Sequence, residues 1–374
     1  MILAYRYKIY PNKAQAAALS EMLRDFCYLY NSALEHRIRA YEKGASISCY
    51  DQIRALPQIR REMANIGRWS ATAEQQVMRK LDKSFNDFYG RIKSGKKGGF
   101  PRFKSWRQYH AADFRVGNGL VVRGSAKLRM IGVPAEIKVR WHRKMPSSPK
   151  SAILSRNGAN WFIIFHVEAA VAERASYDSV GIDVGLTNIM AFSNGETIAR
   201  PRWAAGAARK LRILQRALSR CKRGSNARSK RKAALAKINR HVAACRKDFL
   251  HKESRKIVNR FGRIAIEDLN IRPLSSGFLA KEVNDAAWAI LTEMLTYKAA
   301  NAGGEVIKVS PRGTSQMCPS CGTMAKKTLK QRTHECACGC VLDRDVAAAM
   351  VIHDRAFGFR PGIGHGSLSE PIAA

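Results

Sequence analysis

Acidic residues are scarce in this chain, and the shortage indicates the class of partner. The sequence contains 29 Asp and Glu residues against 66 Lys and Arg residues, which gives a formal net charge of +37. A small DNA-binding module makes only about 6–10 phosphate contacts, so this surplus indicates a nucleic-acid partner that is long or has several strands. An apolar fraction of 46% over 374 residues still allows two or three domains with a sizeable core.

Long apolar runs and export signals are missing as well. No stretch reaches the roughly 20 apolar residues of a membrane span, and no lipidation motif or basic amphipathic anchor favours a membrane surface. Charged residues follow closely after Met1, so we expect no secretory signal peptide. The nine cysteines are an odd number, which argues against a disulfide framework and for a reducing compartment. We therefore expect a cytoplasmic protein of a bacterial or archaeal cell, without a membrane partner.

Asp183 ends a stretch that predicts a buried β-strand. Residues 180–187 read Val-Gly-Ile-Asp-Val-Gly-Leu-Thr, and residues 188–192 predict a second strand. Ser193-Asn194-Gly195 then predicts a hairpin turn, because Asn-Gly favours positive φ. A strand, an acid and a hairpin in this order are typical of the opening of an RNase H-like sheet. Taken alone, an acid at a strand end is more often a turn residue than a catalytic group.

Two further stretches each place an acid at the edge of an apolar element. Residues 261–270 predict a strand that ends near Glu267, and residues 341–352 predict a helix that begins near Asp343 and Asp345. Asp343 can also be interpreted as an N-cap, and Asp345 as a first-turn charge that complements the helix dipole. Converging carboxylates repel one another unless a cation lies between them. Mg²⁺ binds carboxylates and phosphates, and two ions roughly 3.5–4 Å apart can clamp a scissile phosphodiester.

The N-terminal half predicts helices followed by short strands. Residues 4–10 alternate like a strand, and apolar stripes at helical spacing run through residues 19–41 and 72–93. Short strand patterns between residues 120 and 167, punctuated by Gly, Pro and Asn, then predict a small β-barrel or sandwich.

Residues 100–107 interleave aromatic side chains with cations that include Arg102 and Lys104. This pattern suits contact with nucleic acid through stacking and phosphate binding. A loop clamped to its own domain by the aromatics explains it equally well.

A strongly basic segment lies between the predicted strands of Asp183 and Glu267. Residues 209–263 contain twenty Lys and Arg residues against two acids, and apolar residues recur at steps of three and four around Gly224. The pattern predicts an antiparallel helical hairpin with a coiled-coil seam. Long helices of one charge sign repel themselves without a polyanion, so nucleic-acid binding is favoured over a merely solvated face. Further on, Asn284-Asp285 is predicted to cap a helix that carries Trp288.

The cysteines near the C-terminus form two tight knuckles. Cys318 and Cys321 belong to a Cys-x-x-Cys-Gly motif, and Cys336 and Cys338 form a shortened second knuckle that is also followed by Gly. Four thiolates are a structural Zn²⁺ site, which leaves no open position for catalysis. Cys340 and His334 remain alternatives for the second knuckle. A ribbon of this size cannot bury a core, so we expect the metal to hold it together.

Taken together, these stretches resemble the TnpB family, the transposon-encoded RNA-guided nucleases related to type V CRISPR effectors. The resemblance covers nearly the whole chain and is specific because its pieces occur in one order around the zinc insertion. Those pieces are Tyr10-Pro11-Asn12 with Gln15, residues 99–104, Gly181-Ile182-Asp183-Val184-Gly185, Ile266-Glu267-Asp268-Leu269, Thr314-Ser315-Gln316 followed by Cys318 and Cys321-Gly322, and Cys338-Gly339 followed by Asp343-Arg344-Asp345.

The resemblance implies a multidomain α/β protein with an RNase H-like (RuvC) domain, an inserted zinc ribbon, an N-terminal helical recognition domain and a small β-barrel (wedge) domain. The boundaries that we expect are residues 1–10 and 106–172 for the wedge-like barrel, 11–105 for the helical recognition domain, 177–312 and 341–356 for the RuvC-like domain with its basic hairpin at 205–262, 313–340 for the zinc ribbon that contacts target nucleic acid, and 357–374 for a mobile tail.

The resemblance also implies roles for single residues. Asp183, Glu267 and Asp345 match the metal-binding catalytic acids, while Asp343 matches a helix-start partner. Gln75 resembles a position that reads the duplex motif beside the target. Arg102, Lys104 and Arg344 are predicted nucleic-acid contacts. The family usually has Asn two residues after the third acid, where this chain has Ala347, so an active-site neighbour is missing.

Three candidate functions are consistent with the sequence. The first is an RNA-guided DNA endonuclease that uses two Mg²⁺ ions, a guide RNA encoded beside the transposon end and a double-stranded DNA target with a short flanking motif. The second is RNA-guided DNA binding without cleavage, which the three intact acids disfavour and Ala347 keeps open. The third is a DNA-strand-transferring transposase. It is disfavoured because such enzymes usually order their acids Asp, Asp, Glu. The sequence leaves the guide, target, cut positions and oligomeric state open.

Overall fold

The computed structural model describes residues 1–124, 127–171, 173, 176–274, 276, 280–325, 327–328 and 331–358, without the side chains of residues 272, 274 and 281. The chain divides after Ala170 into two units, each with its own contacts. From residue 359 onward, the predicted mobile tail lies outside the described residues. Within the described part of the chain, no helix combines the length and apolar character needed to cross a membrane.

Seven strands of the first unit close into a barrel. They are β1 (Ile2–Tyr10), β2 (Ala111–Val116), β3 (Gly119–Arg123), β4 (Lys127–Met130), β5 (Ile137–Arg140), β6 (Ser151–Asn157) and β7 (Asn160–Glu168). Their order is β1-β5-β4-β3-β2-β6-β7, and β1 closes the ring by pairing with both β5 and β7. Every second residue of β7 is buried inside the ring. The structure therefore confirms the barrel and excludes the sandwich.

Four helices follow β1 in the first unit. They are α1 (Lys13–Glu42), α2 (Cys49–Glu62), α3 (Ala64–Gly67) and α4 (Ala71–Lys93). Asn12 and Gln15 form a reciprocal capping box at the start of α1. The Gln15 amide also donates to the Pro134 and Glu136 carbonyls at 3.0 and 3.1 Å, which fixes α1 beside β5.

The second unit is built on a mixed five-stranded sheet. Its strands are β8 (Ser179–Asp183), β9 (Asn188–Phe192), β10 (Thr197–Ala199), β11 (Arg263–Glu267) and β12 (Glu305–Val309). The strand order is β10-β9-β8-β11-β12, with β8, β9 and β10 antiparallel and β11 parallel to both β8 and β12. Gly195, with φ +91°, makes the predicted turn between β9 and β10.

The described residues of the second unit form six helices. They are α5 (Trp203–Ser219), α6 (Asn226–Arg260), α7 (Ile271–Leu274), α8 (Ala280–Ala286), α9 (Trp288–Asn301) and α10 (Arg344–Phe357). The predicted cap of α9 is wrong, because Asp285 lies inside α8 and pairs with Arg246 at 2.9 Å. The break before α9 falls at Ala287, whose φ is +55°.

Helices α5 and α6 form the predicted basic hairpin. None of the α5 residues is buried, and the buried residues of α6 lie near its C-terminal end, from Leu250 to Val258. Leu235, Ile238, Val242 and Phe249 are half-buried along the predicted seam, whereas Cys245 is exposed and does not belong to it. The hairpin is therefore anchored at one end and presents mostly cations to its surroundings.

Helix α10 packs across the sheet and touches β8 most closely at Gly181. A Cβ built on Gly181 would lie 2.1 Å from the Ala349 carbonyl oxygen and 2.6 Å from the His353 nitrogen, both in the backbone of α10. Only glycine allows this approach of helix and strand. Because Asp183 is on β8 and Asp345 is on α10, the contact also sets the separation of those two acids.

We predict that Gly181→Ala destabilises the second unit by about 3 kcal/mol, the upper end of ordinary overpacking, because neither backbone can yield. Urea or thermal unfolding measures the change. The matched control is Gly206→Ala in α5, where a Cβ meets nothing within 4 Å. That change is expected to raise helix stability by about 1 kcal/mol. Equal stability of Gly181→Ala and the native chain would contradict the close packing.

Candidate active site and metal centre

The three predicted acids lie at one edge of the sheet of the second unit, although among the described residues their carboxylate oxygens do not form a set within 4.8 Å of one another. Asp183 ends β8 and Glu267 ends β11, and because these strands are parallel with Ile182 beside Ile266, both acids leave the sheet at the same edge. Asp345 lies in the first turn of α10. A Cβ on Gly185 would lie 3.6 Å from the Asp345 carboxylate, so the loop after β8 also borders this acid.

The charges of Glu267 and Asp345 both act on Asp183. Burial, followed by the charges of Glu267 and Asp345, raises the pKa of Asp183 to about 8. Burial is also the largest cause of the raised pKa of Glu267 and of Asp345. Burial and the neighbouring acids therefore oppose the ionisation of Asp183. A divalent cation among these carboxylate oxygens fits, because it would favour the ionised form of every donor.

Glu267 has a hydrogen-bond partner that sequence reasoning missed. The Thr314 hydroxyl is 2% exposed and donates to the Glu267 carboxylate. This bond opposes the rise in the Glu267 pKa, as does the charge of Arg355. Thr314 belongs to one of the motifs that resemble the TnpB family, so the signal was present, but a lone Thr in a motif does not reveal its partner.

Asp343 and Arg344 fix the start of α10 beside the acids. The Asp343 carboxylate accepts the backbone N–H groups of Asp345 and Val346 at 2.9 and 3.2 Å, so it is the N-cap. The Arg344 guanidinium donates to the Thr328 and Gln331 carbonyls at 3.1 and 3.3 Å, which ties α10 to the preceding ribbon. The nucleic-acid contact of Arg344 stays a prediction.

A cysteine cluster holds the ribbon between β12 and α10. Its hairpin strands are β13 (Thr333–Glu335) and β14 (Val341–Asp343), so the small sheet extends to the residue before α10. The thiol sulfurs of the four predicted ligands, Cys318, Cys321, Cys336 and Cys338, lie within 4.8 Å of one another.

The sulfur spacing fits a tetrahedral metal. Cys318 and Cys338 Sγ are 3.6 Å apart, and Cys321 and Cys336 Sγ are 3.5 Å apart. Zn–S bonds of about 2.3 Å give a tetrahedron with edges of roughly 3.8 Å.

Hydrogen bonds with Thr323 lower the pKa of Cys321 to about 6. A backbone hydrogen bond of Cys340 also lowers the pKa of Cys338, but hydrogen bonds with Cys336 and Cys321 outweigh it and raise this pKa to about 12. The thiols thus share protons that a bound zinc ion would displace.

The alternative ligands are also close to this cluster. Cys318, His334 and Cys340 offer donor atoms within 4.8 Å of one another, so Cys318 belongs to both sets. His334 is fully buried, and its Nε2 has no hydrogen-bond partner among the described residues. However, the Lys327 ammonium contacts His334 Nδ1 and occupies the space beside this second set. The four-cysteine set is therefore the better site.

The remaining predicted contacts lie in the first unit. Gln75 is half-buried on α4, and Arg102 is exposed. The backbone of Lys104 exchanges two hydrogen bonds with Asn31 of α1, at 2.7 and 2.9 Å, while its side chain is exposed. Phe100 packs edge-on against Phe85 and Phe88 of α4, with ring centroids 5.6 and 5.4 Å away. The loop is thus clamped to its domain, and its cations still face outward.

Family models match three parts of this chain. A probable transposase family, OrfB of IS605, matches residues 163–276, and the Cas12f1-like TNB domain matches residues 288–352. A helix-turn-helix family matches residues 1–46, although the structure forms β1 and one uninterrupted helix over this range.

Similar proteins cover most of the chain. One from Streptomyces pristinaespiralis, named as an RNA-guided DNA endonuclease, is 33% identical over 92% of this chain and 87% of its own length. The Escherichia coli RNA-guided DNA endonuclease InsQ is 25% identical over 89% of this chain and 87% of its own length. The solved complex of Cas12f1 with guide RNA and target DNA matches with a TM-score of 0.61 at 14% identity, over 92% of this chain and 83% of that one. This last likeness shows a shared fold.

We predict that Cys321→Ser removes most of the bound zinc and unfolds the ribbon, because a hydroxyl is a poor ligand in a thiolate site. Elemental analysis of the purified protein measures zinc per chain. The matched control is Cys340→Ser, which should keep full zinc. The reverse pattern, with zinc kept in Cys321→Ser and lost in Cys340→Ser, would assign the metal to the set that contains His334.

Proposed function

Because the chain belongs to the TnpB family of RNA-guided DNA endonucleases, we propose that Asp183, Glu267 and Asp345 hold Mg²⁺ for hydrolysis of DNA phosphodiesters in a RuvC-like domain. One observation carries the proposal. Asp183 and Glu267 end two neighbouring parallel strands, and burial, followed by the charges of Glu267 and Asp345, raises the pKa of Asp183 to about 8. Such mutual repulsion is costly unless a cation balances it.

The donor set agrees with this metal. The ligands are carboxylate oxygens, which Mg²⁺ prefers. When bound, a pair of such ions stabilises the attacking and leaving oxygens of the phosphodiester. The chain's own residues set the geometry: β8 and β11 fix two carboxylates, Asp343 fixes the turn that carries the third, and the Thr314 hydroxyl orients Glu267. Metal affinity is expected to rise as the pH approaches 8, because the ionised form of Asp183 becomes available.

Membership of this family indicates two partners, a guide RNA and a double-stranded target DNA. The net charge of +37 matches a complex that holds several strands. The hairpin of α5 and α6, with few buried residues, supplies a long cationic surface for a backbone. Sequence choice would come from guide pairing, while the protein recognises backbone shape and a short flanking motif.

RNA-guided binding without cleavage remains the second candidate because of Ala347. The side chain of Ala347 is 1% exposed and packs in the core face of α10. The replacement of the usual Asn by Ala347 therefore removes a side-chain amide and leaves all three acids in place. Because the acids are retained, hydrolysis is the better proposal.

We predict that Asp183→Ala leaves RNA binding unchanged and lowers cleavage of a matched, flank-bearing DNA target by about 1,000-fold or more, because a metal ligand is lost. Purified protein with its co-expressed RNA is assayed in Mg²⁺. The control is Asp268→Ala, which removes an exposed acid that pairs with Lys308 at 3.2 Å. If both variants cleave alike, or if the native complex binds its target and yields no product, hydrolysis at this site is excluded.

We also predict that Thr314→Val slows cleavage about 10-fold and raises the Mg²⁺ concentration for half-maximal rate, because a hydrogen bond to a charged group is worth roughly 1.5–3 kcal/mol. Thr314→Ser keeps the hydroxyl and should restore both values. A Mg²⁺ titration of the cleavage rate separates this positioning role from a loss of folding, for which zinc content is the control. Identical titrations for Val and Ser would show that the hydroxyl has no such role.

A further inference from the structure

A polar pocket of about 220 Å³ lies between α4 and the outer face of the barrel in the first unit. No residue of this pocket belongs to the sites described above. Its polar lining comes from Gln76 and Arg79 of α4, Asp113 and Arg115 of β2, Ser151 of β6 and His166 of β7.

The sheet register explains why three of these side chains converge. Arg115 is directly opposite Ser151, and Ser151 is directly opposite His166, so the three form one row across β2, β6 and β7. Neighbours in such a row have Cβ atoms about 4.5–5.5 Å apart. The row therefore presents a guanidinium, a hydroxyl and an imidazole side by side, and Ser151 Oγ lies 3.1 Å from His166 Nδ1.

Helix α4 supplies the opposite wall. Gln76 and Arg79 are three residues apart and so lie on one face of the helix, and α4 packs against β2. Among the described residues, neither the Arg79 nor the Arg115 guanidinium forms an ion pair or a hydrogen bond, although the charge of Arg79 also acts on Cys49 of α2. The N–H donors of these two guanidinium groups, which lie on facing walls, are therefore available to a ligand in the pocket.

Asp113 is the one acid in the lining. It stands opposite Ile153, one row away from Arg115, and its charge acts on the buried Tyr109, whose pKa it helps to raise after burial. Asp113 lies two residues before Arg115 on β2, so both side chains are on the same face of the strand. The net charge of the lining remains positive, which favours an anion.

We propose that this pocket binds one backbone phosphate of a nucleic acid through Arg79 and Arg115. Planar guanidinium groups match phosphate oxygens bidentately, and Ser151 adds a hydroxyl donor. At about 30 Å³ per water, the pocket holds a phosphate group with a few waters, whereas a whole nucleotide is too large. The phosphate belongs either to the guide RNA or to the target duplex, and the choice of nucleic acid as ligand rests on the proposed function.

The test is a double-mutant cycle. Arg79→Gln, Arg115→Gln and the double variant are titrated by fluorescence anisotropy with the co-purified RNA, remade by transcription, and then as RNA complexes with a matched duplex. Each single change should weaken one of the two affinities about 10-fold. The double change should weaken it about 20-fold, well short of the 100-fold expected for independent contacts, because both residues share one phosphate.

The matched control is Arg129→Gln, which removes an exposed arginine from β4 outside the pocket. When Arg129→Gln is combined with Arg115→Gln, the two losses of affinity should multiply, because the residues do not share a phosphate. Coupled loss in RNA affinity assigns the phosphate to the guide, and coupled loss in duplex affinity assigns it to the target. The phosphate pocket is overturned if the losses of affinity multiply for both nucleic acids, or if neither variant loses affinity. In that case the proposed function still stands, provided that the native protein binds its RNA and cleaves its target. A native protein that binds no RNA overturns the proposed function itself.

Discussion

Repulsion among three carboxylates is the constraint on which the second unit depends. Asp183, Glu267 and Asp345 come from different parts of the sequence, and the fold brings them to one edge of the sheet in partly desolvated positions. In isolation this arrangement is unfavourable for Asp183, because burial and the charges of Glu267 and Asp345 all oppose its ionisation. The surrounding structure compensates through rigid elements: two parallel strands, a capped helix and the glycine contact between β8 and α10.

The cysteine ribbon of residues 313–343 is joined to the site of the three acids at both of its ends. At its entry, Thr314 donates to Glu267, and at its exit, β14 leads directly into the turn that carries Asp345. Arg344 adds hydrogen bonds from that turn back to ribbon carbonyls. A metal held by the four cysteines would therefore influence the position of two acids. The ribbon is better described as a part of the framework that positions these acids than as a separate module.

Sequence patterns correctly predicted those elements that have strong local signals. Asn194-Gly195 predicted the turn after β9, and the Cys-x-x-Cys-Gly motif predicted the cluster whose sulfurs meet in the fold. The barrel was predicted as one of two options, since strand patterns do not show whether a sheet closes. Helix α2 was missed, and it contains Pro57 and few buried residues.

Other features depend on contacts that no local pattern encodes. Asp285 looked like a cap, but its partner is Arg246 on a different helix. Thr314 and Glu267 are neighbours only because the ribbon leaves the sheet beside β11. The row of Arg115, Ser151 and His166 requires the register of three strands. The three acids were predicted through the family resemblance and the capping role of Asp343 from its place before the helix, whereas the contact of Thr314 with Glu267 could not be predicted.

The place of α10 has a consequence for how the protein is made. During synthesis β8, β9, β10 and β11 leave the ribosome first, and the face of the sheet at Gly181 stays uncovered until residues 344–357 emerge. The same late helix brings Asp345. Until the ribbon has been translated, the nascent chain therefore lacks both the helix that covers its sheet and the last of the three acids. The core and the set of acids are completed in the same step of synthesis.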